Sequence, residues 1–298
     1  MILLEPASKI LEETIRERLN SEPERCQIGL ADFDGVTYRI STPESKTQLV
    51  VSVAIRCFPE LQRYGAEAVL AREYGPLFGA PEAGYDVSLY IDLTTLPADR
   101  EPIIKAISLL KRNIMAAPFE AAFAAQQEGR ESEMMAVHYR DEEAIYIKAL
   151  HDRVTVIFST EFKDETDKIY GKVFLQEFVD ARRLPALQNT PQVLYSAREP
   201  PLELRGVPGV KDSNTVSYVT FVLFPRHFQG AAAYDAISRI QLFRDYFHFH
   251  IKASKAYMHS RMRTRVDSFL KVLNRAKPEK PEDQKEKKTA SGKTFKRS

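Results

Sequence analysis

The chain has 298 residues, 44% of them hydrophobic and 10% aromatic, enough to bury a substantial core in one large domain or two ordinary ones. A disordered chain and a mini-protein are both excluded by that composition. No apolar run approaches the ~20 residues of a bilayer-spanning helix, and Glu5 interrupts the opening MILLEPASK before it could form a secretory core, so a soluble protein without membrane insertion is predicted. Two cysteines, Cys26 and Cys57, with no CxxC and no Cys/His cluster, argue against a disulfide framework or a structural zinc and point to a reducing, cytoplasmic location. The formal net charge of +2 hides an asymmetry: residues 252–298 hold fifteen Lys/Arg against five Asp/Glu, a net of +10, while residues 1–251 hold 28 against 36, a net of −8. An acidic body with a basic end implies a polyanionic partner.

In chain order, Ser8 is placed to cap a short helix carrying Ile10, Leu11 and Ile15, and strand character follows through Val36 and Tyr38 to Ile40. Leu49, Val51, Val53 and Ile55 alternate as a half-buried strand requires. A helix with Leu61, Val69 and Leu70 ends before Gly75-Pro76. Beyond Gly84, Val87, Leu89, Ile91 and Leu93 alternate with polar residues as a half-exposed strand. Residues 99–127 read as a helix with Ile103, Ile107, Leu110 and Ile114 on one face, broken or kinked at Pro118. The polar stretch from Gln126 to Glu133 is the candidate boundary.

After it the order of elements returns. Strands are predicted over 144–149 and 153–159, joined through His151-Asp152, then an amphipathic helix from Asp164 to Arg183 with Tyr170, Val173, Phe174 and Phe178 inward. A short strand at 193–195, a proline-bearing edge at Pro200-Pro201 and an apolar run from Val216 to Phe224, read as a central strand, complete the half. The predicted class is α+β: two similar α/β domains, residues 1–128 and 129–230, with antiparallel-rich sheets flanked by helices. From 231 to 277 there is neither glycine nor proline, and Ile237, Ile240, Phe247, Ile251, Met258, Met262, Val266, Phe269 and Leu273 recur at helical spacings. Such a helix would be roughly 70 Å long, more than a domain of this size can cover. Its second half is expected to project and to need a partner chain over Met258, Met262, Phe269 and Leu273, with Tyr257 flanking the stripe. Residues 278–298, Lys/Glu-rich and proline-interrupted, read as a disordered basic tail.

Candidate chemistry is sparse. Asp32-Phe33-Asp34-Gly35-Val36 imitates the DxDG opening of haloacid dehalogenase phosphatases, where one Asp is nucleophile and the other general acid. A magnesium-dependent phosphatase using Asp32 and Asp34 is therefore the alternative function, but the later acidic pair which that chemistry needs is missing, and a tight turn at Asp34-Gly35 is the simpler reading. His248 and His250, two apart on a helix, point about 200° apart and cannot share a metal. His138 and His227 sit beside arginines at strand ends, where structural hydrogen bonds are the commoner role. Ser291-Gly292-Lys293-Thr294 lacks the upstream glycine and strand of a phosphate-binding loop. The basic helix is too interleaved with apolar residues to track nucleic acid. No catalytic residue, cofactor or metal is assigned.

Many stretches carry a resemblance: MILLE, ADFDGV (31–36), GYDVSL (84–89), LKRN (110–113), HYRD (138–141), DRVTVIFST (152–160), REPPLEL (198–204), YVTFVLFPRH (218–227), FRDY (243–246), SKAY (254–257) and FLKVLNRA (269–276). In this order they resemble the family of the 34-kDa scaffold subunit of the actin-related protein 2/3 complex. Segments 21–28, 116–125 and 184–189 depart from its pattern. The resemblance implies a non-enzymatic subunit with two similar α/β domains. It further implies a long helix paired with that of the fourth, 20-kDa subunit, a scaffold for two actin-related proteins, and contact with the side of the mother actin filament during branched nucleation. Carried onto this chain, the helix-pairing role falls on Tyr257, Met258, Met262, Phe269 and Leu273. Filament contact is assigned to Arg263, Lys271, Arg275, Lys277 and Lys293, chiefly on charge, since actin's surface is acidic.

Overall fold

A computed structural model describes residues 4–197, 199–210, 215–275, 287–288 and 294–295. The first half forms α1 (Lys9–Asn20), β1 (Gln27–Ala31), β2 (Thr37–Ser41), β3 (Gln48–Ala54), α2 (Phe58–Arg63), α3 (Ala66–Tyr74), β4 (Phe78–Gly79), β5 (Val87–Asp92), α4 (Glu101–Ser108) and α5 (Leu110–Gln127). The second forms β6 (Met135–Val137), β7 (Ile145–Ala149), β8 (Val154–Glu161), α6 (Glu165–Ala181), β9 (Gln192–Ala197), β10 (Val216–Leu223), α7 (Ala232–Gln241) and α8 (Phe243–Arg275). Two five-stranded sheets result, ordered β1-β2-β3-β5-β4 and β6-β7-β8-β10-β9, with every pairing antiparallel. The second half thus repeats the strand order of the first, and the α+β class read from the sequence is the observed one.

By contacts the chain divides into two compact units, Met1–Ile251 and Lys252–Ser298. Within the first, the apolar faces of both sheets join one continuous core, to which Leu11, Ile40, Val51, Leu89, Phe119, Val156, Phe228 and Phe247 contribute. Phe123 of α5 stacks on Phe228 with centroids 4.2 Å apart, a bridge between the halves. As the apolar run over 216–224 requires, β10 is buried at every position, between β8 and β9. Ser8 does cap α1, its hydroxyl accepting from the Leu11 amide.

Several expectations need correcting. The 99–127 helix breaks at Leu109, and Pro118 lies inside α5; burial around nearly the whole of that helix outweighs the proline's cost of about 3 kcal/mol. Strand β3 is buried on both faces, because its polar side is roofed: Ser52 Oγ lies 2.8 Å from Ser88 Oγ, which accepts from the Glu82 amide, and Glu82 pairs with Arg39 at 2.8 Å. The same roof buries Ser88, so β5 is less exposed than its alternation implies. On α6 Tyr170, Phe174 and Phe178 pack inward as expected, joined by Gly171 and Leu175, while Val173 is 58% exposed. Gly171 sets that rotation, since a Cβ there would meet Phe162 at 2.9 Å. The helix expected over 231–277 is divided at Leu242 into α7 and α8. Of the tail over 278–298, only Lys287–Lys288 and Thr294–Phe295 are described, paired antiparallel.

Candidate interaction surface

The first turns of helix α8 belong to the core. Phe243, Phe247 and Ile251 are buried, with Phe247 5.5 Å from Phe243 and 5.9 Å from Phe162 between ring centroids. From Lys252 on, all described α8 residues but one are exposed. Tyr257, Met258, Met262, Phe269 and Leu273 are 42 to 64% exposed. On a 3.6-residue period Met258, Met262, Phe269 and Leu273 fall within about 60° of one another, in line with Phe247 and Ile251. The apolar face that the core covers as far as Ile251 therefore continues, uncovered, for more than three further turns. Val266 lies on the same seam and is exposed too. Tyr257 falls about 100° to one side; its ring lies 5.6 Å from the Arg261 guanidinium, which also donates to its hydroxyl at 3.3 Å. Arg265 falls on the seam's own line by the same helical period.

The basic candidates divide. Arg263, Lys271 and Arg275 lie about 100° to 180° from the middle of the seam, so one helix can present an apolar face and a basic face at once. Lys271 is paired with Asp267 one turn earlier at 2.7 Å. Lys277 and Lys293 lie outside the described residues.

The DxDG stretch is built as a turn. Asp32 Oδ1 accepts from the amides of Asp34 and Val36, both at 2.9 Å, and Gly35 takes a φ of +74° that favours glycine. Lys111 of α5 bridges the two carboxylates, at 2.5 Å from Asp32 and 2.6 Å from Asp34. Arg140, just after β6, donates to Asp34 at 3.0 Å and to the Phe33 carbonyl at 2.7 Å. Burial alone would push the Asp34 carboxyl up, but Lys111 and Arg140 outweigh it and hold the group below the usual carboxylate range. Lys111 thus holds both carboxylates within the first half, and Asp34 also reaches the second through Arg140, in a turn between two antiparallel strands. Among the described residues no three His, Cys, Asp or Glu side chains gather as a metal ligand set. Other ties cross the same seam between halves: His138 donates its amide to Glu60 at 2.7 Å, Arg112 donates to Ser238 at 3.0 Å, and Gln241 donates to the Arg112 carbonyl at 3.1 Å. His227 likewise makes a structural bond, its Nε2 lying 2.7 Å from the Asn189 carbonyl.

Two like-wound halves clamped together, with a helix whose apolar face runs out beyond its own core, define a subunit of a larger assembly. Comparison with known proteins names the assembly. The family model for the Arp2/3 complex 34 kD subunit, p34-Arc, matches residues 51–280. The chain is 50% identical to actin-related protein 2/3 complex subunit 2 of Schizosaccharomyces pombe and 42% identical to that of Dictyostelium discoideum, covering 99% of both chains in each case. This chain belongs to the p34-Arc family.

Proposed function

We propose that the chain is a non-catalytic scaffold subunit of the actin-related protein 2/3 complex, pairing through α8 with the long helix of the fourth, 20-kDa subunit. With that partner it helps to hold the two actin-related proteins and the other subunits, and it presents a basic face to the side of the mother actin filament during branched nucleation. In this reading residues 1–128 and 129–230 are two domains of one build, 231–277 the assembly arm and 278–298 a basic tail. The protein works in the cytoplasm, within the actin cytoskeleton.

The observation that carries the reading is the uncovered seam of Met258, Met262, Phe269 and Leu273, collinear with the buried residues Phe247 and Ile251. An apolar stripe of that length in water is costly and is ordinarily covered by a partner helix. The opposite face, with Arg263, Lys271 and Arg275, suits an acidic filament and should act in a salt-dependent way.

The test is Met262→Asp and Phe269→Asp in cells that make the other subunits. Both side chains are exposed in the chain itself, so the fold should survive, whereas a charge placed in a closed apolar seam should release the 20-kDa partner. Co-elution of either variant with a full set of subunits would contradict the assigned seam.

A further inference from the structure

A groove of about 710 Å³ opens among α6, β9, β10, α7 and the first turn of α8, all of them in the second half and within the first compact unit. Its floor is apolar, formed by Phe178, Val193, Leu223, Ala236, Ile240 and Phe243. Among the described residues, Leu4 alone lines it from the first half. One leucine side chain does not fill such a space, since clefts of about 300 to 1,000 Å³ hold whole drug-sized ligands.

Local contacts explain how Leu4 comes to lie there. The Ser8 amide donates to the Ser108 carbonyl of α4 at 2.9 Å, which fixes the start of α1. One turn beyond Ser108, the Arg112 guanidinium donates to Ser238 at 3.0 Å and to the Tyr234 carbonyl at 3.1 Å. The α4–α5 corner therefore lies against α7, whose Asp235, Ala236 and Arg239 wall the groove. Between Leu4 and Ser8, Pro6 keeps the backbone out of a helix and Glu5 turns back to pair with Lys9 at 2.9 Å. The chain thus runs off the first half and onto the second. Before Glu5 stand Met1, Ile2, Leu3 and Leu4, four apolar side chains in a row. Such a run is costly in water, and an apolar cleft with unfilled volume adjoins it.

We propose that residues 1–4 are the occupant of this groove, an intramolecular strap whose apolar side chains join Leu4 against the floor and tie the start of the first half to the second. Opening the strap tests this. Two variants of the full chain are purified with the proteins that accompany it: Leu4→Asp, and a triple variant of Ile2→Ser, Leu3→Ser and Leu4→Ser. Leu4→Met, which keeps an apolar side chain, is the control. Leu4 is half-buried and lies outside every helix and strand, so the fold should survive. Fluorescence anisotropy follows a labelled peptide, Met-Ile-Leu-Leu-Glu-Pro, added in trans. An intact strap competes at the effective concentration of a short tether, about millimolar, so both opened variants should bind the peptide at least tenfold more tightly than the wild type or Leu4→Met. Amide exchange in α7 should quicken in the opened variants and slow again when the peptide is added. Equal binding of the peptide by opened and intact chains, binding by neither, or exchange in α7 unmoved by the substitutions would overturn the proposal. So would dodecanoate binding as tightly to the wild type as to the opened variants, since the groove would then stand vacant in the intact chain.

Discussion

Arg140, which follows β6, donates to Asp34 in the β1–β2 turn at 3.0 Å, so a side chain of the second half fixes a turn of the first. Lys111 closes the same site from α5. The most motif-like stretch of the sequence is thus a joint between two repeats of one fold.

Asp34→Asn removes one carboxylate from between two cations and should destabilise the chain by about 2 kcal/mol, a partly buried pair lying between the exposed and fully buried limits. Because the folded Asp34 carboxyl lies below its unfolded value, its contribution is present above the unfolded pKa and is lost as pH falls through the folded one. Urea titrations at pH 7 and pH 3 should therefore show a clear gap between wild type and variant at the first and a much smaller gap at the second.

Asp245 should behave in the opposite sense. Burial, then the neighbouring Asp34, push its carboxyl up despite Arg244 at 3.5 Å, so ionising it costs stability in the fold. For an acid with a raised folded pKa, stability falls as pH rises through the range between the unfolded and folded values. Asp245→Asn should thus hold or raise the melting temperature at pH 7, with any gain shrinking at pH 4. A fall at pH 7 alone would show that the Arg244 pair matters more than the burial.

Gly171→Ala should lower stability by about 1 to 2 kcal/mol, although alanine is the better helix former. The added methyl would meet Phe162 at 2.9 Å and Phe247 at 3.2 Å, moving α6 off the root of α8. Thermal melts check the sign; a stabilised variant would mean that both rings yield freely.

Charge reversal at Arg263, Lys271 and Arg275 should leave assembly intact and weaken filament cosedimentation about tenfold, most visibly at low salt. Lys271 alone should matter least, because Asp267 already pairs with it at 2.7 Å. Unchanged binding by the triple variant would move the filament contact elsewhere.

The sequence made β5 and β10 readable because alternation and an apolar run are local signals, whereas the short strands β4 and β6 carried no such signal. It misplaced what depends on packing. Pro118 looked like a break because helix rules count a lost backbone hydrogen bond, whereas burial decided the outcome. Val173 looked inward on hydrophobicity alone, and the rotation of α6 is set by an absence, the missing side chain of Gly171. Ser52 and Ser88 looked exposed because no pattern reports that Glu82, thirty residues from Ser52, folds over them. The seam on α8 was legible throughout, since period and composition suffice, and so was its collinearity with the buried face. The groove beside Leu4, by contrast, is lined from α6, β9, β10, α7 and α8 together, and no local pattern reports it.

The most direct test of the scaffold reading is to tag the chain, purify it gently from its own cells, and identify what coelutes with it in stoichiometric amount on a sizing column. Recovery with two actin-related proteins and a 20-kDa helical partner is the predicted result. Elution as a lone 34.0 kDa monomer would contradict the account, since the seam from Met258 to Leu273 would then need no partner.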